Sequence, residues 1–247
     1  MSKRDLYFSK PTMNAAGMLG YAPNFRDSLP WADFGAFITN PISLHPRLPA
    51  DKPELISYPG GLLLHTGLPN PGFKSTLKKY APIWARSDLP VMVHLMADRP
   101  DETVTMVRAL EGMENIAAVE FGFAPQLAND IIVLAVEMCL GEMPLVVNLP
   151  TEQILSLGPS VLNAGAAAVS LAAPRGALPG DDGKLITGRL YGPALFPKSI
   201  EVVHSAAKLG LLIIAAGGLS MENSGAMLME GALAFQLDTA LWGNMVA

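Results

Sequence analysis

Leu212-Ile-Ile-Ala-Ala-Gly-Gly-Leu219, followed after an amphipathic segment by Ala232-Leu-Ala-Phe-Gln-Leu-Asp-Thr-Ala-Leu241, decides the fold. Both apolar runs are too short for a helix and too unbroken for a half-exposed strand. They read as two buried parallel strands joined by a helix, a βαβ unit. Gly217 and Gly218 stand where the first strand ends. Glycines there let the backbone come close to a ligand, and exposed N–H groups at a strand-to-helix turn suit an anion such as phosphate. The second strand ends differently, at Asp238, whose carboxylate would repel a neighbouring phosphate.

The same alternation runs back through the chain. Strands are predicted at 11–17 and Phe34–Thr39, then at Val91–Met96, Ala117–Phe121, Pro144–Leu149 and Ala167–Leu171, before the final pair. Helices are predicted at 73–87, 101–112, 128–140, 151–163, 193–209 and 221–230. Eight strand units without a break in composition define a single (β/α)8 TIM barrel over residues 1–247. Residues 41–71 and 174–188 read as Pro- and Gly-rich loops over the barrel mouth. Ten residues follow Leu237, so the eighth helix is expected to be shortened. Either the flank near Trp242 and Met245 stays slightly open, or another chain covers it.

Bulk composition narrows the function classes. Hydrophobic residues make up 50% and charged residues 16%, with 13 methionines and a net charge of −5. The mean hydropathy is +0.32. No basic cluster points to nucleic acid, and no apolar run is long enough to span a membrane. The amino-terminal Met1-Ser-Lys-Arg-Asp5 leads into no apolar signal core, which implies a cytoplasmic protein. The lone Cys139 excludes an internal disulfide and a cysteine metal cluster, and reads as a small buried hydrophobe. So apolar a chain has either a large core or a surface shared in a homo-oligomer or hetero-complex.

Four motifs in order give the chain a family resemblance. They are Met13-Asn-Ala-Ala-Gly17, Pro59-Gly-Gly-Leu-Leu63 with Gly67-Leu-Pro-Asn-Pro-Gly72, Gly188-Arg-Leu-Tyr-Gly-Pro-Ala194, and Gly217-Gly218 with Gln236-Leu-Asp-Thr-Ala240. They resemble the dihydroorotate dehydrogenase family of flavin-dependent barrels over nearly the whole chain. The resemblance implies FMN as cofactor, held by Ala15, Ala16, Gly17, Asn40, Asn148, Gly192, Gly217, Gly218 and Thr239.

The residues that perform the family's reaction are replaced. Two lysines of the pattern match Asn40 and Asn148, and the asparagine that holds the substrate carboxylate matches Leu64. The asparagine and the proton-accepting residue after the fourth strand match Phe121 and Phe123 or Ala124. The polar pair after the sixth strand is Ala173 and Pro174, and two glycines of the pattern are Arg189 and Asp238. Dihydroorotate oxidation removes a proton and a hydride, so it needs a placed base. A reduced flavin carries negative charge that a nearby cation stabilises. The residue set supplies neither.

Two readings follow: a barrel that has lost dihydroorotate oxidation and binds a ligand or serves a larger assembly, and an FMN-dependent oxidoreductase with a changed substrate. A small phosphorylated ligand or flavin is the partner the mouth would take. Asn14, Asn40, His94, Glu120, Asn148 and Asp238 fall at strand ends, and His65 and Tyr191 in covering loops. His65, His94 and Glu120 are the candidate catalytic groups, weighed against the ordinary polarity of strand ends. Glu120 and Asp238 are a candidate carboxylate pair, and Arg189 a candidate phosphate ligand. No spacing supports a metal site. His45 and His204 read as surface or loop residues.

Overall fold

The computed structural model describes residues 6–243. Eight parallel strands close into a barrel: β1 (Thr12–Asn14), β2 (Phe34–Ile38), β5 (Val91–Met96), β6 (Ile116–Gly122), β7 (Leu145–Pro150), β8 (Ala168–Ala172), β11 (Ile213–Ala215) and β12 (Ala234–Leu237). Seven α-helices accompany them: α1 (Phe73–Trp84), α2 (Pro100–Leu110), α3 (Asn129–Met138), α4 (Ile154–Asn163), α5 (Phe196–Lys208), α6 (Ser224–Met229) and α7 (Ala240–Gly243). The expected TIM barrel is present, with its last helix described over Ala240–Gly243. Between β1 and β2 the chain runs as a loop with one 3-10 turn at Trp31–Asp33.

Strand alternation divides the core in two. Outward-facing Val93, Phe121, Val147, Val169, Ile213 and Phe235 pack with helix residues such as Met106, Ile132 and Val203. Inward-facing Met13, Ala36, Ile38, Met92, Ala118, Val146, Ala168, Ile214 and Ala234 form a separate apolar plug. Small residues alternate with large ones in this plug, so the barrel is filled rather than open.

The segments read as loops contain strands. β3 (Glu54–Tyr58), β4 (Gly61–His65), β9 (Arg175–Pro179) and β10 (Leu185–Tyr191) form an antiparallel sheet in the order β3-β4-β10-β9. It carries Leu64, His65, Arg175 and Arg189 to the mouth. Two close glycine approaches allow this. A side chain on Gly192, at φ 121°, would strike Gly61 Cα and Gly60 O at 2.5 and 2.7 Å. One on Gly188 would meet the Leu63 side chain and Leu64 O at 2.6 Å.

The flank at the last helix is partly covered by the chain itself. Trp242 Nε1 donates to Met18 O at 3.1 Å, so no second chain is needed to hold the indole. Met245 lies outside the described residues.

Candidate active site at the barrel mouth

One position pair further along five of the inward rows, the apolar plug gives way to polar residues. His94, Glu120, Asn148, Ser170 and Gln236 each lie two residues beyond a plug residue, which returns them to the barrel interior. Register places His94 beside Glu120, and Asn148 beside Ser170. His94 Nδ1 and Glu120 Oε2 are 2.6 Å apart. Ser170 Oγ and Gln236 Nε2 both donate to Glu120 Oε1 at 2.7 Å, and Asn148 Nδ2 donates to Ser170 Oγ at 2.9 Å. His94 is 2% exposed and Glu120 fully buried.

A buried carboxylate needs this many partners. Burial alone would raise the Glu120 pKa. The hydrogen bond and charge of His94, with the bonds from Ser170 and Gln236, outweigh burial and hold it below the ordinary glutamate value. The carboxylate also fixes the imidazole ring. With Nδ1 engaged by Glu120, Nε2 is the ring nitrogen left for the cavity side, beside Gly122. A Cβ at Gly122 would come within 2.4 Å of Nε2, so only glycine fits there. A histidine oriented by a carboxylate in this way can accept or donate a proton.

Above this floor is a cavity of about 470 Å³. His94, Asn148, Gly122, Phe123 and Ala124 line it from the barrel, and Leu64, His65, Arg175 and Arg189 from the antiparallel sheet. Arg47, Asp98 and Glu152 lie at its edges. No lysine lines it. Arg175 and Arg189 are register partners on β9 and β10. Burial, and then the charge of Arg189, push the Arg175 guanidinium below its ordinary pKa. Burial raises the pKa of the Tyr191 hydroxyl, against the lowering effect of the nearby Arg189 charge.

The structure redistributes the other candidates. Asn14 does not face the mouth; its side chain bonds both the N–H and the carbonyl of Ile38, at 3.0 and 2.6 Å, and stitches β1 to β2 near their register shift. Asn40 Oδ1 accepts from Gly20 N at 3.0 Å and is used in holding a loop. Phe121 points outward into the helix layer, and Gly122 takes the mouth position on β6. Glu120 and Asp238 do not pair: Asp238 is a layer further out, two residues past Gln236, and each carboxylate has its own donors. Tyr191 is buried, and His204 sits at the surface bonded to Glu230 at 2.6 Å. Burial raises the Cys139 thiol pKa to about 12, against small opposed effects of Arg108 and Glu111. Ser170 and Gln236 were not singled out from the sequence; the two-residue step from Ala168 and Ala234 is the signal that finds them.

Asp238 decides the phosphate question. It is 4% exposed. Its Oδ1 accepts the Thr239 N–H at 2.5 Å and the Thr239 hydroxyl at 3.1 Å. The Gly218 and Ala240 main-chain N–H groups lie near enough to favour its ionised form. Burial nevertheless leaves the Asp238 pKa above its ordinary value. The space between the ends of β11 and β12 therefore already holds an internal carboxylate, bonded by Thr239. Gly217 and Gly218, at φ 91° and 75°, pack against the chain's own α5: added side chains would meet Ser199 Oγ at 2.7 Å and Phe196 N at 2.5 Å. Ala15 N donates to Leu237 O at 2.7 Å. An FMN phosphate placed as the resemblance implies would meet the Asp238 carboxylate, and among the described residues no lysine lines the cavity to meet a reduced flavin's charge.

Fold and site together define a (β/α)8 barrel with a carboxylate-oriented histidine under a covered mouth. Comparison with known proteins narrows this. A sequence model described as dihydroorotate dehydrogenase matches residues 3–122. The chain is 28% identical over 254 residues to a dihydroorotate dehydrogenase B (NAD(+)) catalytic subunit from Geotalea daltonii, covering 93% of this chain and 83% of that one. It is also 28% identical to the protein of the same description from Pelobacter propionicus, over 95% of this chain and 84% of that one. A solved phosphoenolpyruvate phosphomutase from Streptomyces platensis subsp. rosaceus superposes with a TM-score of 0.51 at 11% identity, covering 70% of this chain and 63% of that one, a likeness of fold alone. By sequence the chain is thus similar to the dihydroorotate dehydrogenase family. Among the described residues no helix is long and apolar enough to cross a membrane. No group of three or more His, Cys, Asp or Glu among them is placed to hold a metal ion.

Proposed function

We propose that this chain is a small-molecule-binding barrel that has given up dihydroorotate oxidation and does not hold FMN in the family's manner. The carrying observation is the buried Asp238 carboxylate, hydrogen-bonded by the Thr239 N–H and hydroxyl, with the Gly218 and Ala240 main-chain N–H groups near enough to favour its ionised form. A phosphate entering there would displace a buried anion or sit against it, and like charges at such range repel strongly in a low-dielectric site. The positions of the family's proton acceptor support the same reading. Phe123 and Ala124 line the cavity and carry no titratable group.

The mouth keeps the means to bind and to move protons. His94 presents Nε2 at the floor, with its ring held in place by Glu120 at Nδ1. The ligand-binding role extends to a subunit role in a larger assembly. Exposed Leu209, Leu212, Met229 and Leu233 support it, lying at the ends of α5 and α6 and the starts of β11 and β12, away from the mouth.

FMN titration of the purified protein tests this reading. No stoichiometric binding is expected. Tight uptake, with flavin absorbance that follows the protein, restores the FMN-dependent oxidoreductase with a changed substrate.

A further inference from the structure

The cationic ceiling of the mouth has no role in the family's pattern or in the reading above. Arg175 and Arg189 are directly opposed on antiparallel β9 and β10, so their side chains leave the sheet on one face. That face is the cavity face, since both line it. Leu64, the register partner of Arg189 on β4, continues the row and adds an apolar wall. Like charges directly opposed across a strand pair destabilise a sheet. Among the described residues neither arginine forms an ion pair with a carboxylate.

The remaining charges do not cancel the pair. Asp98 Oδ1 is taken up by the Ala124 N–H at 2.5 Å, Glu152 is exposed at the rim, and Arg47 adds a third positive charge while its Nε bonds Gly67 O at 2.5 Å. The chain as a whole is acidic, with a net charge of −5, so this local excess of arginine runs against the overall charge. Paired guanidinium forks match carboxylate and phosphate oxygens. A cavity of about 470 Å³ suits a small molecule rather than a polymer.

We propose that Arg175 and Arg189 form an anion subsite in the ceiling of the mouth, taking the carboxylate or phosphate of a small metabolite whose other end rests on His94 and Asn148. An anion between the two guanidiniums turns a repulsive pair into a bridged one. The apolar Leu64 wall and the polar floor then contact the body of the ligand. This rests on the mouth being a ligand site, and it places the anion on the sheet rather than between the ends of β11 and β12, where Asp238 lies.

Calorimetric titration with malonate and with inorganic phosphate tests the subsite, with neutral malonamide as control. Saturable one-to-one binding of either anion, at least about tenfold weaker in R175Q and absent for malonamide, is the expected result. Because Arg175 is exposed, R175Q is expected to fold with an unchanged or higher Tm. Binding that is equal in R175Q and wild type, or no saturable binding of either anion, overturns the proposal. FMN titration of the same proteins keeps the two readings apart. Tight flavin uptake indifferent to R175Q overturns the flavin-free function while leaving the anion result to stand on its own.

Discussion

His94 Nδ1 and Glu120 Oε2 lie 2.6 Å apart inside the barrel, on neighbouring strands and at the same register position. Each explains the other. The carboxylate would not remain ionised at full burial without the histidine, and the ring would not hold its orientation without the carboxylate. Glu120→Ala leaves His94, Ser170 and Gln236 without their common acceptor. A loss of about 3–5 kcal/mol is expected from breaking one side of a buried charged network. Urea unfolding measures it, and a loss under about 1 kcal/mol, the range of an exposed pair, would mean that the network is not intact in solution.

The same pair sets a pH dependence. Glu120 has a folded pKa below its unfolded one. Between those values the unfolded chain binds the additional proton, so stability rises with pH. The contribution is complete above the ordinary glutamate range and is lost as pH falls through the depressed folded value. Urea midpoints of wild type and Glu120→Gln, followed from neutral to acid pH, should converge on the acid side. Parallel curves would remove the assignment to Glu120.

Gly122 has a steric reason to be glycine. A Cβ there meets His94 Nε2 at 2.4 Å and Cε1 at 2.9 Å. Gly122→Ala should push the imidazole off Glu120 and cost about 1–3 kcal/mol, the range for overpacking. The imidazole proton resonances of His94 should move with it. An unchanged spectrum and stability would place the ring elsewhere.

How far the sequence foretold this depended on burial. Runs such as Val91–Met96 and Leu145–Pro150 are apolar on both faces because they lie between plug and helices, and they read directly as barrel strands. β3 and β9 alternate between half-buried and exposed residues and sit among Pro and Gly. Their pairing also depends on contacts between β4 and β10, distant in sequence. No local signal carries that. His94 and Glu120 were legible singly as titratable residues in apolar strands. Their partnership was not, because it depends on strand register. Glu120 was instead weighed against Asp238, which the two-residue step places in the next layer.

Asp238 yields the complementary prediction. Asp238→Gly removes the internal anion, frees the Thr239 N–H and hydroxyl, and leaves the nearby Gly218 and Ala240 N–H groups without a carboxylate beside them. The variant should lose about 1 kcal/mol of stability, as for loss of a helix-capping carboxylate, and bind FMN at least about tenfold better than wild type. Fluorescence quenching of added FMN measures this. Equal, weak binding by both proteins would show that more than the phosphate contact has been lost.

The most direct measurement is the absorbance spectrum of the purified wild-type protein, before and after FMN is added and unbound flavin removed. The internal carboxylate at Asp238 predicts a spectrum without flavin bands in both cases. Flavin bands at one equivalent per chain would contradict the account, because a phosphate would then share a site that the Asp238 carboxylate fills.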